Sequence, residues 1–135
     1  MIGYSSIEAF QQELKMARIL LQVDDESTLA IGVGFLAWQL DKQQYDGALE
    51  CLHITLENHV KAIWLSYGED LGKWINYVRE HDPRAGTENA VKIFVQISLV
   101  EHALMAINDW KVDVIVVQGS TVLLLSLKQS NLSSA

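Results

Sequence analysis

The chain has little of what marks several protein classes. It holds one cysteine in 135 residues, Cys51, so no internal disulfide can form. With no secretory leader pattern at its start, the expected setting is reducing and cytoplasmic. It holds one proline, Pro83, and eight glycines, too few for a proline-rich linker or a low-complexity segment. Positive charge is scarce: ten Lys and Arg stand against 17 Asp and Glu, a net charge of −7. No basic stripe gathers those ten, so nucleic-acid binding is not expected. Long apolar runs are missing as well. Runs such as those at 114–117 and 122–125 fall far short of the roughly 18 residues of a membrane span, so no membrane contact is expected. What remains is a chain that is 50% apolar, enough for one core-forming domain.

Helical and strand periods alternate along it. Ile7, Phe10, Leu14 and Ala17 recur at helical spacing behind Ser5-Ser6-Ile7-Glu8, which has the form of a capping box. A polar break at 24–27 precedes a strand over 31–36. Leu49, Leu52, Leu56 and Val60 mark a second helix with Asp46 as its N-cap, and a strand follows over 62–65. Leu71, Trp74, Ile75 and Val78 mark a third helix, with Glu69 and Asp70 at its positive end and Pro83 beyond its stop. Residues 91–97 read as a strand. Ser98-Leu99-Val100-Glu101 opens a helix with the stripe Val100, Ala103, Leu104 and Ile107, and 113–118 read as a fourth strand. Met1-Ile2-Gly3-Tyr4 reads as the end of a further strand, and 121–127 as a fifth strand or a short helix. Strands every 20–30 residues, each interval holding a helix, are the spacing of βαβ units and of a parallel sheet. Their lack of polar alternation fits a sheet covered by helices or closed into a barrel. The fold class is α/β.

Ligands of parallel α/β proteins bind beyond the carboxyl ends of the strands. That directs attention to Gly34, Phe35 and Trp38, then Ser66, Tyr67 and Gly68, then Gln96, and finally Gln118 and Gly119. A glutamine carboxamide both donates and accepts, which suits a flavin or nucleobase edge and equally suits local backbone groups. Gly32-Val33-Gly34 lacks the third glycine of a dinucleotide fingerprint; glycines here instead allow close approach of a backbone or ligand. Among the histidines, His53 has Glu50 and Glu57 nearby but no third or fourth ligand at matching spacing, so no metal site is assigned. Exposed or half-buried helix positions are expected for the histidines, with His102 solvated in a first turn. Cys51 reads as a small buried apolar residue. Tryptophans 38, 64, 74 and 110 read as core or helix–sheet packing. No Ser/His/Asp order or nucleophile elbow is present, and no catalytic residue is assigned.

Four segments at these strand ends also carry a resemblance. Gly32-Val33-Gly34-Phe35-Leu36, Lys61-Ala62-Ile63-Trp64-Leu65-Ser66-Tyr67-Gly68, Val95-Gln96-Ile97 and Asp113-Val114-Ile115-Val116-Val117-Gln118-Gly119 resemble, in order and spacing, the nitronate monooxygenases. That family was formerly called 2-nitropropane dioxygenase, and its fungal-type members are the most similar. The resemblance spans roughly residues 1–120. It implies a β/α barrel that binds FMN at the carboxyl ends of its strands and oxidises alkyl nitronates with O2. On that mapping residues 1–119 are a partial (β/α)8 TIM barrel, about strands 2–6, and 120–135 a divergent C-terminal tail. Gln118 matches the FMN-contacting glutamine of the family's Val-Val-Gln-Gly motif. Gly34 falls at or next to a third-strand position where many relatives place an FMN-contacting Asn. The family continues with Ala-Gly-Gly-His-Gly, whose His is the catalytic base; here Ser120-Thr121-Val122-Leu123-Leu124-Leu125 follows, with no His after His102. A complete barrel takes about 250 residues. The expectation is therefore a truncated member, inactive alone, with open sheet edges that invite homo-oligomers. The alternative is a non-catalytic half-barrel that associates with itself or a partner.

Overall fold

In the computed structural model the chain is described over residues 4–42, 46–97, 106–118 and 122–126. Helix α1 (Tyr4–Leu20) turns the stripe Ile7, Phe10, Leu14 and Ala17 inward, with Leu14 buried. It is already helical at Tyr4, so the strand reading fails there and Ser5 lies inside the helix rather than at its cap. After the polar turn come β1 (Leu29–Leu36) and a short helix α2 (Ala37–Asp41), the latter without a sequence signal. Helix α3 (Asp46–Glu57) ends before Val60, which opens β2 (Val60–Ser66) instead of closing the helical stripe. His59, at φ 55°, makes that break in the left-handed region. Helix α4 (Leu71–His81) follows the expected stripe, and the Asp70 carboxylate accepts the Lys73 N–H at 3.1 Å as its cap.

Strand β3 (Lys92–Ile97), a π-helical turn (Ala106–Trp110), β4 (Val114–Gln118) and β5 (Val122–Ser126) complete the described elements. The second capping box and His102 lie outside the described residues. In the π-helical turn the helical period no longer applies: Ala106 is buried while Ile107, read as part of the inward stripe, is 43% exposed.

The strands form one sheet in the order β1-β2-β3-β4-β5. The first four pair in parallel, and β5 pairs antiparallel to β4, with Gln118 opposite Val122 and Val114 opposite Ser126. This is an α/β fold with a four-stranded parallel sheet and alternating helices. Phe35, Ile63, Leu65, Ile93, Val95, Ile97 and Ile115 line one face and share a core with Cys51 and Leu52 of α3 and Trp74, Ile75 and Val78 of α4. Over β1–β3 the opposite face is only partly covered: Gly32 and Gly34 are exposed, and Ala62, Trp64, Phe94 and Gln96 half-buried. The strands thus alternate after all, one face under helices and one largely open. Toward β4 that second face closes, with Val116 buried.

The amino ends of the strands are tied together by two arginines. Arg18 is 7% exposed and donates to the carbonyls of Asp24, Ser27 and Asn58. Arg84 donates to the Thr28 hydroxyl and the Glu26 carbonyl. No helix among the described residues is long and apolar enough to cross a membrane.

Candidate functional site

Parallel pairing fixes which residues share the open face. Gly34, Trp64, Phe94 and Val114 stand in one row across β1–β4, and Leu36, Ser66, Gln96 and Val116 in the row nearer the carboxyl ends. Trp64 and Phe94 stack with ring centroids 5.7 Å apart and planes 21° apart. One step along, the Trp64 Nε1–H donates to Gln96 Oε1 at 3.0 Å, and Gln96 Nε2 donates to the Tyr67 hydroxyl at 3.3 Å. The carboxamide is thereby oriented, since turning it over would set its N–H against the indole N–H, whereas the Tyr67 hydroxyl can serve either end.

Tyr67 follows β2 in the left-handed region, at φ 53°, and its carbonyl accepts the Trp38 N–H at 3.0 Å. That bond seats the start of α2 over the end of β2. Gly68 fits beneath it: a Cβ there would lie 2.4 Å from the Ala37 Cβ, so this close approach requires glycine. Trp38 is 37% exposed, with the Lys42 ammonium 5.7 Å from its ring centre. The mouth of the sheet therefore consists of Gly34, Trp64, Gln96, Tyr67 and Trp38.

Of the residues singled out by position, Gly34, Gln96, Tyr67 and Trp38 reach this mouth. Phe35 and Ser66 do not; they are buried at 6% exposure each. Gln118 is the last residue of β4. It stands four residues beyond Val114, the member of Gly34's row on that strand, with β2 and β3 between. At strand spacings of about 4.8 Å and rises of about 3.3 Å per residue, that is about 14 Å across the sheet and about 13 Å along it. The two positions are therefore well separated along the sheet. Gly119 lies outside the described residues.

Trp64 is the residue that sequence reading missed. It was expected in the core or in helix–sheet packing, yet it stands half-buried on the open face, stacked on Phe94. The signal was parity: with Ile63 and Leu65 turned inward, Trp64 must turn the other way. Trp38 departs from the same expectation through its exposure. Trp74 is buried and donates its Nε1–H to Asp41 at 2.7 Å, and Trp110 packs over Gly72, as core and packing residues should.

Other reactive groups are tied up elsewhere. His53 Nε2 and the Tyr77 hydroxyl share a hydrogen bond of 2.6 Å between α3 and α4, and the Tyr77 and His81 rings stack at 4.0 Å. His59 is not on a helix; its Nδ1 is buried without a partner, and desolvation together with Arg84 and Arg18 holds its pKa below the usual histidine value. Burial, with Glu50 adding to it, pushes the Cys51 thiol up and so disfavours the thiolate. Among the described residues no three of His, Cys, Asp and Glu are grouped to hold a metal ion. No family model matches the chain, and no curated protein or solved structure matches it.

Proposed function

We propose that this chain is a sector of a (β/α)8 barrel of the nitronate monooxygenase type, an FMN-dependent family that oxidises alkyl nitronates with O2, and that the sector alone does not turn over. The observation that carries the reading is the winding. Four parallel strands follow one another in chain order without reversal, and α3 and α4 cover a single face. Doubly wound sheets reverse at a switch point and carry helices on both faces, whereas barrel strands are added in sequence with their helices outside. The open face would then be the barrel interior. The bare backbone of Gly34 would admit a flavin ring at van der Waals distance, and Gln118 would stand at the carboxyl end of β4 where the family keeps its flavin-contacting glutamine.

Two features support the expectation that the sector alone does not turn over. The sequence has no histidine after His102 to act as base, and losing a general base costs about 10²–10⁴ in rate. Past β4 the sheet continues with an antiparallel strand rather than a further βα unit. The test is a titration of FMN with the purified chain, followed by oxygen uptake on adding propyl-2-nitronate. Quenched flavin fluorescence with no uptake beyond that of free FMN is expected. A chain that leaves FMN fluorescence unchanged overturns the reading.

One observation favours a second reading, a non-catalytic module that associates with itself. Among the described residues β1 is an edge strand, and its eight residues LAIGVGFL carry neither charge nor proline. Such edges recruit further strands. A mass that rises with concentration in sedimentation equilibrium is its signature; a monomer at all concentrations removes it.

A further inference from the structure

Gly32 and Gly34 lie exposed on the same face of β1, and neither has a positive φ. A Cβ on Gly32 would sit 3.7 Å from the Ala62 Cβ, and one on Gly34 3.9 Å from the Trp64 Cβ, both ordinary contacts. Neither the backbone conformation nor the neighbours demand glycine, and glycine weakens a strand interior. What the two bare positions create is a flat floor. With Ala30 and Ala62 they floor a trough of about 610 Å³ whose side is the stacked pair Trp64 and Phe94. Because the Trp64 Nε1–H is committed to Gln96, the indole is held in place as a wall. Bare amide planes beside stacked rings favour a flat π-system.

The trough also has a charged end. Lys61 lines it, is exposed and makes no ion pair among the described residues. Lys92, in register with Ala62, adds positive charge on the same side. We infer that this trough is a binding site for a flat aromatic monoanion, its rings lying on Gly32 and Gly34 and its charge at Lys61. The trough shares Gly34 with the proposed flavin site and runs from there toward the amino ends at Ala30 and Lys61, so the naphthoate titration below and the FMN titration above test the two readings separately.

The experiment titrates the full chain with 2-naphthoate and with its neutral analogue 2-naphthamide, following naphthalene fluorescence at low ionic strength. A ligand of this size in an open trough is expected to bind with a Kd of roughly 0.1–1 mM. The carboxylate should bind about fivefold more tightly than the amide, the usual contribution of one exposed charge pair. Lys61→Gln should erase that preference and leave amide binding unchanged, and added salt should do the same. Gly34→Val should reduce binding of both probes at least about tenfold without lowering the melting temperature, since valine suits a strand. Equal affinity of wild type for the two probes overturns the role of Lys61. Unchanged binding by Gly34→Val, or by Gly32→Val as an independent replacement, overturns the trough as the site. Absence of binding at about 10 mM probe overturns the inference as a whole.

Discussion

The indole N–H of Trp64 and the carboxamide oxygen of Gln96 meet at 3.0 Å across the β2–β3 pair. Trp64 is one row nearer the amino ends than Gln96, since its own in-register partner is Phe94. The bond is therefore diagonal and ties two rows of the open face together. Removing the acceptor strands a half-buried indole donor, so Gln96→Leu should cost about 1 kcal/mol. Gln96→Glu, which keeps an oxygen at the same reach, should recover most of it. Urea unfolding of the three proteins side by side measures both.

Arg18 offers a larger effect. Its guanidinium is nearly buried and serves three backbone carbonyls, those of Asp24, Ser27 and Asn58, from two separate turns. Arg18→Met keeps the stem but leaves those acceptors unserved, and about 2–3 kcal/mol of destabilisation is expected. A urea midpoint equal to wild type would show that water replaces the arginine without loss.

Glycines divide by what surrounds them. Gly68→Ala drives a Cβ to 2.4 Å from the Ala37 Cβ, with Ala37 backbone at 3.4 Å, and should cost about 1–3 kcal/mol through displacement of α2. Ala37→Gly in the same chain should restore part of it. Gly34→Ala meets nothing closer than 3.9 Å and should leave the chain as stable or about 0.5–1 kcal/mol more so. In thermal melts the Gly68→Ala midpoint should fall, while the Gly34→Ala midpoint should hold or rise.

Acid sensitivity follows from His59. Its pKa in the folded chain lies below the ordinary 6.5, chiefly because burial disfavours the imidazolium, with Arg84 and Arg18 acting in the same direction. The unfolded chain binds the proton more readily, so this contribution to stability is complete above pH 6.5 and is lost as pH falls through the lower folded value. His59→Asn suits the positive φ of 55° and should flatten the pH dependence between about pH 7.5 and about pH 5. Asp24, lowered first by its hydrogen bond from the Ser27 hydroxyl, has the same sign in a more acidic window, below the ordinary 3.8. A wild-type chain whose urea midpoint is flat across the histidine range would refute the His59 account.

How much of this was legible in the sequence depends on range. Helix α4 was, because its stripe, its Asp70 cap and its stop before Pro83 are all local signals. The strand positions were, because four apolar runs recur between helical stripes. Helix α2 was not: five residues, Ala37–Asp41, are too few for a period to show. Ile107 was misplaced because a π-helical turn changes the spacing on which the stripe was counted. The antiparallel sense of β5 could not be read, since strand direction depends on a connection rather than on the strand's own residues. Gly34 and Gln118 could be placed on their strands, but not the four-residue offset between them, because register is a relation between strands.

Each of the described strands pairs only with its immediate neighbours in the chain. Such an order has a consequence for synthesis. As the polypeptide leaves the ribosome, each of β2 to β5 finds its docking edge already made by the strand just before it. Loop closure stays short at each step, so these strands can assemble in the order of their synthesis, with β5 following β4 to cover the edge that β4 leaves.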